Sequence, residues 1–148
     1  MEAFSNDALG PGLQPFLKDA TPQEWVQLLS WTREITFEAG DVLVSPGWTD
    51  RSMFVVLAGR LVITLGDEDN TRDVAEVGAG SIFGEQSFVD GLPRSGQVQA
   101  LTNGSARVLD HEAYLELANR QPRLAQRIMT DIASTLSRRL REANQLLV

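Results

Sequence analysis

The chain has 148 residues, 43% of them hydrophobic and 22% charged, with a formal net charge of −7. These values are typical of a single globular domain. The sequence contains no cysteine, which excludes thiol catalysis, disulfides and cysteine metal sites. Its acidic balance disfavours direct binding to DNA or RNA. It has no apolar run of membrane-spanning length and no secretory signal at the N-terminus, so we expect a cytoplasmic protein without membrane contact.

The N-terminal part begins with residues 1–20, which hold several Gly and Pro residues and are interpreted as an irregular lead-in. A capping box follows, in which Thr21 is the N-cap, Pro22 the first helical residue and Glu24 the residue three positions after the cap. Leucine and tryptophan side chains then recur at helical spacing. This pattern predicts a helix over residues 22–32.

The central part, residues 34–109, has the composition of a β-domain. Short runs of β-forming residues alternate with Gly, Asp and Pro, as in a barrel or a double-sheet roll. The run 53–57 is apolar throughout, which is typical of a strand covered on both faces. The predicted strands span residues 42–44, 53–57, 60–65, 73–77, 97–101 and 106–109.

Two helices are predicted after the β-domain, the first over 111–120 and the second over 122–147, with Pro122 between them. Apolar residues of the second helix recur mostly every four positions and form a stripe. Two interpretations stay open: the helix packs only on its own domain, or the stripe is the seam of a two-stranded dimer. The stripe consists of Leu124, Ile128, Ile132, Leu136, Leu140, Ala143 and Leu147.

The segment 80–98 carries the candidate chemistry. Gly84 permits close backbone approach, and Glu85 opens a short turn or helix whose free N–H groups suit a phosphate. Pro93 stiffens the chain ahead of Arg94, whose guanidinium offers two N–H donors to a phosphate, and Ser95 adds a hydroxyl. A carboxylate beside an anion site suits sugar hydroxyls. The residues indicate a sugar-phosphate pocket, with a surface Glu–Arg pair on a loop as the alternative.

This segment resembles the phosphate-binding cassette of cyclic nucleotide-binding domains, which reads Phe-Gly-Glu, several mostly apolar residues, then Pro-Arg, a small residue and Ala. The chain has Phe83-Gly84-Glu85 and, at the expected separation, Pro93-Arg94-Ser95-Gly96. Residues 39–44 and 53–60 resemble the upstream strands of the family. The resemblance extends over about residues 20–147 and implies a mainly β fold with flanking helices: a jelly-roll-like β-roll, or double-stranded β-helix, followed by a long C-terminal helix.

The resemblance also implies roles for individual residues. Glu85 accepts a hydrogen bond from the ribose 2′-hydroxyl, Arg94 pairs with the exocyclic oxygens of the cyclic phosphate, and Ser95 touches phosphate or a guanine amino group. The backbone N–H groups of Gln86 and Ser87 donate to the ligand. Both replace the apolar or small residues usual in the family, and a polar Gln86 alters the pocket floor if its side chain points inward. Gly96 also departs from the family, which usually has Ala there. The other expected ligand contacts are Phe83 and Gly84 of the cassette, and Ile63, Val74 and Ala75 as the apolar wall under the base.

The C-terminal helix resembles that of the bacterial catabolite activator group, in which it forms the dimer and a DNA-binding helix-turn-helix follows. The resemblance implies a homodimer through residues 122–147 and a pair between Arg139 and Glu85. Ala143 and Asn144 align with two hydroxyl residues that contact the base, and of these two Asn144 can hydrogen-bond a purine. Because the chain ends at Val148, where a DNA-binding domain would begin, we expect a sensor without DNA-binding output of its own.

The resulting hypothesis is a stand-alone sensor of cAMP or cGMP, without enzymatic activity, cofactor or metal. Its domains are the lead-in 1–20, the β-roll with its N-terminal helix 21–121, and the dimerisation helix 122–148. It would act through that helix on its dimer or on an unidentified effector protein. The alternative is a protein-interaction module on the same fold, independent of ligand or responsive to cyclic di-GMP. Glu85 and Arg94 disfavour this alternative, since Arg94 would lack a partner for its charge without a phosphate. We therefore expect Arg94 to be solvated, and Arg94→Ala to abolish nucleotide binding without loss of the fold.

Overall fold

The computed structural model describes residues 16–66 and 72–145. Within them, two four-stranded antiparallel sheets have the strand orders β1-β8-β3-β6 and β2-β7-β4-β5. This arrangement, flanked by helices, confirms the predicted β-roll fold. The strands are β1 (Arg33–Phe37), β2 (Val42–Val44), β3 (Met53–Ala58), β4 (Leu61–Leu65), β5 (Arg72–Val77), β6 (Ile82–Phe83), β7 (Gln97–Ala100) and β8 (Gly104–Leu109).

The helices are α1 (Pro22–Leu29), α2 (Glu85–Asp90), α3 (His111–Arg120) and α4 (Pro122–Gln145). The predicted capping box is present at α1, because Thr21 Oγ1 accepts from Glu24 N at 3.2 Å and Glu24 Oε1 accepts from Thr21 N at 3.0 Å. This helix ends at Leu29, three residues before the predicted end, and Ser30 caps it. Leu147 lies outside the described residues.

Two of the observed strands were not predicted. β1 is an edge strand that pairs only with β8 within the described sheet, and its first four residues are exposed or half-buried. Its charged and polar residues therefore gave no strong apolar pattern. β6 has two residues, too few for any period to show, and pairs with β3 through Phe54 and Phe83.

Strand β3 separates two cores, which confirms that its continuous apolar run is covered on both faces. Phe54 and Val56 belong to the roll core, whose residues come from both sheets. Met53 and Val55 belong to the helical core, where the other face of the sheet packs against α1, α3 and α4. The phosphate-cassette helix α2 joins this second core through Phe88, which is fully buried.

The first half of α4 packs on its own domain, which makes the predicted dimer stripe wrong for this part of the helix. Leu124, Ile128 and Ile132 are at most 5% exposed within the chain, in the helical core. Side chains of α4 also tie down the N-terminal part: Asp131 Oδ2 accepts from Leu17 N at 2.5 Å, and Arg127 pairs with Glu24 of α1. Leu136 is half-buried, whereas Leu140 and Ala143 are exposed.

Among the residues that the structure describes, no helix combines the length and the apolarity needed to cross a bilayer.

Candidate functional site

The site is built around the start of helix α2. Gly84 is its N-cap in the left-handed conformation, with φ of 78°. A Cβ at this position would lie 3.0 Å from the carbonyl oxygen of Ser52 and 3.0 Å from Nη1 of Arg94. Glycine is therefore required both by the backbone conformation and by the close approach of its neighbours. Glu85 follows as the first helical residue and is 3% exposed.

Arg94 lies inside the protein, with its side chain 2% exposed, so the expectation of a solvated arginine is wrong. Its Nη1 donates to Gly84 O at 2.7 Å, and its Nη2 donates to Ser52 O at 2.6 Å. Nε and Nη2 both donate to the carboxylate of Asp50, at 3.3 and 2.7 Å. The guanidinium thus has a counter-ion within the chain, which corrects the expectation that its charge needs a phosphate.

The loop between β2 and β3 supplies contacts that the sequence did not reveal. Asp50 and Ser52 hold Arg94, as just described. Between them, Arg51 donates to the carbonyls of Ser87 and Phe88 at 3.3 and 2.9 Å, at the C-terminal end of α2. A cation at this end of a helix satisfies its free carbonyl groups. Three consecutive loop residues therefore hold Arg94 and the C-terminal end of α2.

Glu85 and Arg139 form the ion pair that the resemblance implied. Arg139 Nη1 donates to Glu85 Oε1, and Arg139 Nη2 donates to Ile82 O at 2.8 Å. The Glu85 side chain is 4% exposed and that of Arg139 28%. Because Glu85 and Arg94 each have another partner, the alternative of a surface pair between these two residues is wrong. The contact joins the cassette directly to α4.

Three further cassette residues are Gln86 and Ser95 on the surface and Ser87, which is buried. Gln86 is exposed, and its Oε1 accepts from Ser95 Oγ at 3.2 Å. Ser87 is 4% exposed. The N–H groups of Gln86 and Ser87 lie in the first turn of α2, where backbone N–H groups have no partner within the helix. The Gln86 side chain thus lies on the surface beside Ser95.

The predicted apolar wall lies on neighbouring strands. Ile63 and Ala75 are cross-strand partners in β4 and β5, and both are half-buried. The side chain of Val74 lies outside the described part of the structure. Phe83 is fully buried in the roll core, where its ring stacks on Phe54 with centroids 4.5 Å apart. It therefore supports the floor of the cassette from inside.

The surroundings of Gly96 explain why this chain has glycine where the family usually has alanine. A Cβ here would lie 2.8 Å from Leu65 Cδ2 and 2.9 Å from Thr64 O. The second neighbour is backbone of β4 and cannot move without disturbing the sheet. At the far end of the site, Ala143 and Asn144 are exposed in the last turn of α4, beyond Arg139.

Ionisable groups connect the cassette to the start of α3. Asp110 Oδ1 accepts from Ser52 Oγ at 2.8 Å, and hydrogen bonds from Arg33 hold the pKa of Asp110 below its usual value. The adjacent His111 packs edge-on against Phe88 of α2, with ring centroids 5.4 Å apart. Burial, with a smaller effect of the Arg51 charge, lowers the pKa of His111. The imidazole is therefore held towards its neutral form.

Residues 34–121 match the family described as the cyclic nucleotide-binding domain. The chain therefore belongs to the cyclic nucleotide-binding domain family, which confirms the resemblance found in its sequence.

Individual proteins similar to this chain support that assignment. The cyclic AMP receptor protein of Thermus thermophilus is 29% identical over 133 residues, which cover 88% of this chain and 59% of that protein. The crystal structure of the Thermus thermophilus catabolite activator protein is 27% identical with a TM-score of 0.79, over 90% of this chain and 62% of that one. A cyclic nucleotide-binding domain from Methylobacillus flagellatus is 25% identical with a TM-score of 0.79, over 85% and 71%. This chain thus spans about three fifths of the receptor protein that it matches.

Proposed function

We propose that this protein is a cyclic mononucleotide sensor that binds cAMP or cGMP and transmits binding to helix α4. The observation that carries the proposal is the ion pair between Glu85 of the cassette and Arg139 of α4. The carboxylate expected to hold the ribose is the same carboxylate that holds the C-terminal helix. Ligand binding and helix position therefore share one group. The similarity to a protein named as a cyclic AMP receptor favours cAMP as the first ligand to test.

In this mode of binding, the phosphate lies against the start of α2 and Arg94. The N–H groups of Gln86 and Ser87 lie in the first turn of α2, where a helix suits an anion, and Arg94 places a positive charge 2.7 Å from the Gly84 carbonyl. The base rests against the wall that includes Ile63 and Ala75. We propose binding without catalysis, because the cassette offers groups that hold a ligand but no nucleophile paired with a base.

Ligand binding can affect helix α4 because the Glu85 carboxylate has two oxygen atoms that accept hydrogen bonds. One carboxylate oxygen, Oε1, accepts from Arg139, which leaves Oε2 for the ribose 2′-hydroxyl. A hydroxyl that donates to this carboxylate changes its charge distribution and therefore its bond to Arg139. A ligand shifts α4 only if it binds the two positions of the helix with different affinity. We propose that this difference arises at the carboxylate that the ribose and Arg139 share.

We propose that the output includes a homodimer formed by a seam of α4 that keeps Leu136, Leu140 and Ala143 of the stripe indicated by the sequence and replaces its buried N-terminal residues by Met129 and Ala133. Residues at successive spacings of four, three, four and three form a heptad pattern on this helix. Leu140 is 62% exposed within the chain, as a residue at a dimer seam would be. We call this set the α4 seam: Met129, Ala133, Leu136, Leu140 and Ala143.

Calorimetric titration of the refolded protein with cAMP, cGMP and cyclic di-GMP tests the proposal. Refolding from denaturant removes any ligand carried through purification. We expect micromolar or tighter binding of one of the two mononucleotides. The matched control is Arg94→Lys, which keeps the charge but loses the planar fork and should bind the nucleotide more weakly. Heat from cyclic di-GMP alone, or from none of the three with folded protein, would contradict the proposal.

A second candidate is a ligand-independent interaction module. The observation in its favour is that both functional charges are paired within the chain, Arg94 with Asp50 and Glu85 with Arg139. Arg94 therefore has a partner for its charge without a phosphate, and that charge does not disfavour this candidate. If titration with all three nucleotides fails, capture of binding proteins on immobilised folded protein becomes the appropriate experiment.

A further inference from the structure

Asp50 contacts Arg94 at two points, in the same way that a phosphate would. Two guanidinium nitrogens, Nε and Nη2, face the two carboxylate oxygens at 3.3 and 2.7 Å. This two-point arrangement is the one that arginine also offers to phosphate. The Asp50 side chain is 43% exposed, whereas the Arg94 side chain is 2% exposed. Asp50 therefore covers the edge of Arg94 from the solvent side.

We propose that the Asp50 carboxylate competes with the ligand phosphate for Arg94. Asp50 must release the guanidinium before Arg94 can bind phosphate at two points. The inference rests on the proposed function, because it concerns the affinity of that same site. Asp50 would act as an affinity-setting residue that weakens binding and speeds release. Its position in the loop between β2 and β3 places it outside the cassette itself.

The hydrogen bonds of Arg94 indicate that Asp50 and a phosphate would compete for the Nε–Nη2 edge of its guanidinium. Its guanidinium has five N–H groups. Four donate within the chain: Nε and one Nη2 N–H to Asp50, the other Nη2 N–H to Ser52 O, and one Nη1 N–H to Gly84 O. One N–H group of Nη1 remains. A phosphate bound at two points therefore has to replace an existing acceptor, and Asp50 belongs to the most exposed of the three acceptor residues.

Arg94 does not depend on Asp50 for its position. The carbonyls of Gly84 and Ser52 hold the guanidinium at 2.7 and 2.6 Å. Its backbone is fixed to the same loop, since Arg94 N donates to Trp48 O at 2.8 Å and Gly47 N donates to Arg94 O at 2.9 Å. Removing the carboxylate charge at residue 50 should leave the arginine in place. It should also remove the repulsion between two anions that share one cation.

The test compares Asp50→Asn with Asp41→Asn in calorimetric titrations with cAMP. Asp41 is an exposed carboxylate in the turn between β1 and β2, where its Oδ2 accepts from Glu38 N at 2.8 Å, so the control removes the same charge away from Arg94. We expect Asp50→Asn to tighten cAMP binding by about tenfold and Asp41→Asn to change it by less than about twofold. Equal or weaker binding by folded Asp50→Asn would overturn the proposal and make Asp50 a support for Arg94.

A second probe separates this inference from the proposed function. In protein with ¹⁵N-labelled arginine, the Nε–H signal of Arg94 is followed by NMR while inorganic phosphate is added. We expect phosphate to shift the signal in Asp50→Asn at concentrations that leave the wild type unchanged. That result with no cyclic nucleotide binding would refute the sensor but support competition by Asp50. Equal shifts in both proteins, or none in either, would refute competition. Asp50→Ser serves the same comparison if Asp50→Asn does not fold.

Discussion

Replacing Arg94 by Ala should destabilise the fold as well as abolish nucleotide binding. The side chain is 2% exposed and donates to two backbone carbonyls, those of Gly84 and Ser52. A truncated side chain cannot supply these hydrogen bonds. It also leaves Asp50 without its counter-ion and removes the packed stem of the arginine.

The magnitude follows from these contacts. A polar group that loses its partner costs about 1–3 kcal/mol, and the lower end applies here because Gly84 and Ser52 are half-buried. The lost attraction to Asp50 counts for less than about 1 kcal/mol, since that carboxylate is 43% exposed. Together the free energy of unfolding should fall by about 2–3 kcal/mol. For a domain of this size, that lowers the Tm by about 8 °C.

Chemical denaturation and thermal melting, both followed by circular dichroism, measure this change. The matched control is Arg60→Ala, which removes an arginine whose 2.9 Å pair with Glu76 is exposed on both sides. That control should stay within about 0.5 kcal/mol of the wild type. An unfolding free energy for Arg94→Ala equal to that of the control would refute the structural role assigned to Arg94.

Three further substitutions test the α4 seam, the titration of His111 and the packing around Gly96. Leu140→Glu should convert the proposed dimer to a folded monomer in sedimentation, whereas Leu115→Glu, at an exposed site on α3, should leave it dimeric; a persistent dimer in Leu140→Glu would exclude the α4 seam. The wild type should lose stability as pH falls below 6.5, because burial lowers the pKa of His111 in the folded state and the unfolded state therefore takes up the proton first. His111→Phe should remove this loss. Equal dependence of the unfolding free energy on pH in the two proteins would contradict this prediction. Gly96→Ala should cost about 1–3 kcal/mol through contact with Leu65 and Thr64 O, although Gly→Ala often stabilises, and a raised Tm would contradict the steric argument.

Features encoded by local pattern were predictable from the sequence. The capping box of α1 and the apolar run of β3 depend on neighbouring residues, and both are present in the structure. The pair between Glu85 and Arg139 spans 54 residues and was reached through the family resemblance, because no local period connects the two. The cassette was identified by its resemblance to the family, in which the glycine, glutamate and arginine occur at this spacing.

The electrostatic state of the cassette was not predictable. Asp50 lies 44 residues before Arg94, in a loop whose composition resembles any solvated turn. Its contact depends on how the loop folds over α2. Helix α4 shows a related difficulty: its apolar residues form one stripe at helical spacing, but only the N-terminal part of that stripe packs fully on the domain. Ile128 and Ile132 lie in its core, whereas Leu140 is exposed.

The central claim is that Glu85 holds the ribose of a cyclic mononucleotide. The most direct measurement is calorimetric titration of the refolded protein with cAMP and cGMP, each beside its 2′-deoxy analogue. We expect the deoxy form of the preferred nucleotide to bind about 10–100-fold more weakly, because the Glu85 carboxylate, whose side chain is 4% exposed, then lacks its hydroxyl donor. Equal affinity for the two forms, or no binding of either mononucleotide by folded protein, would contradict it.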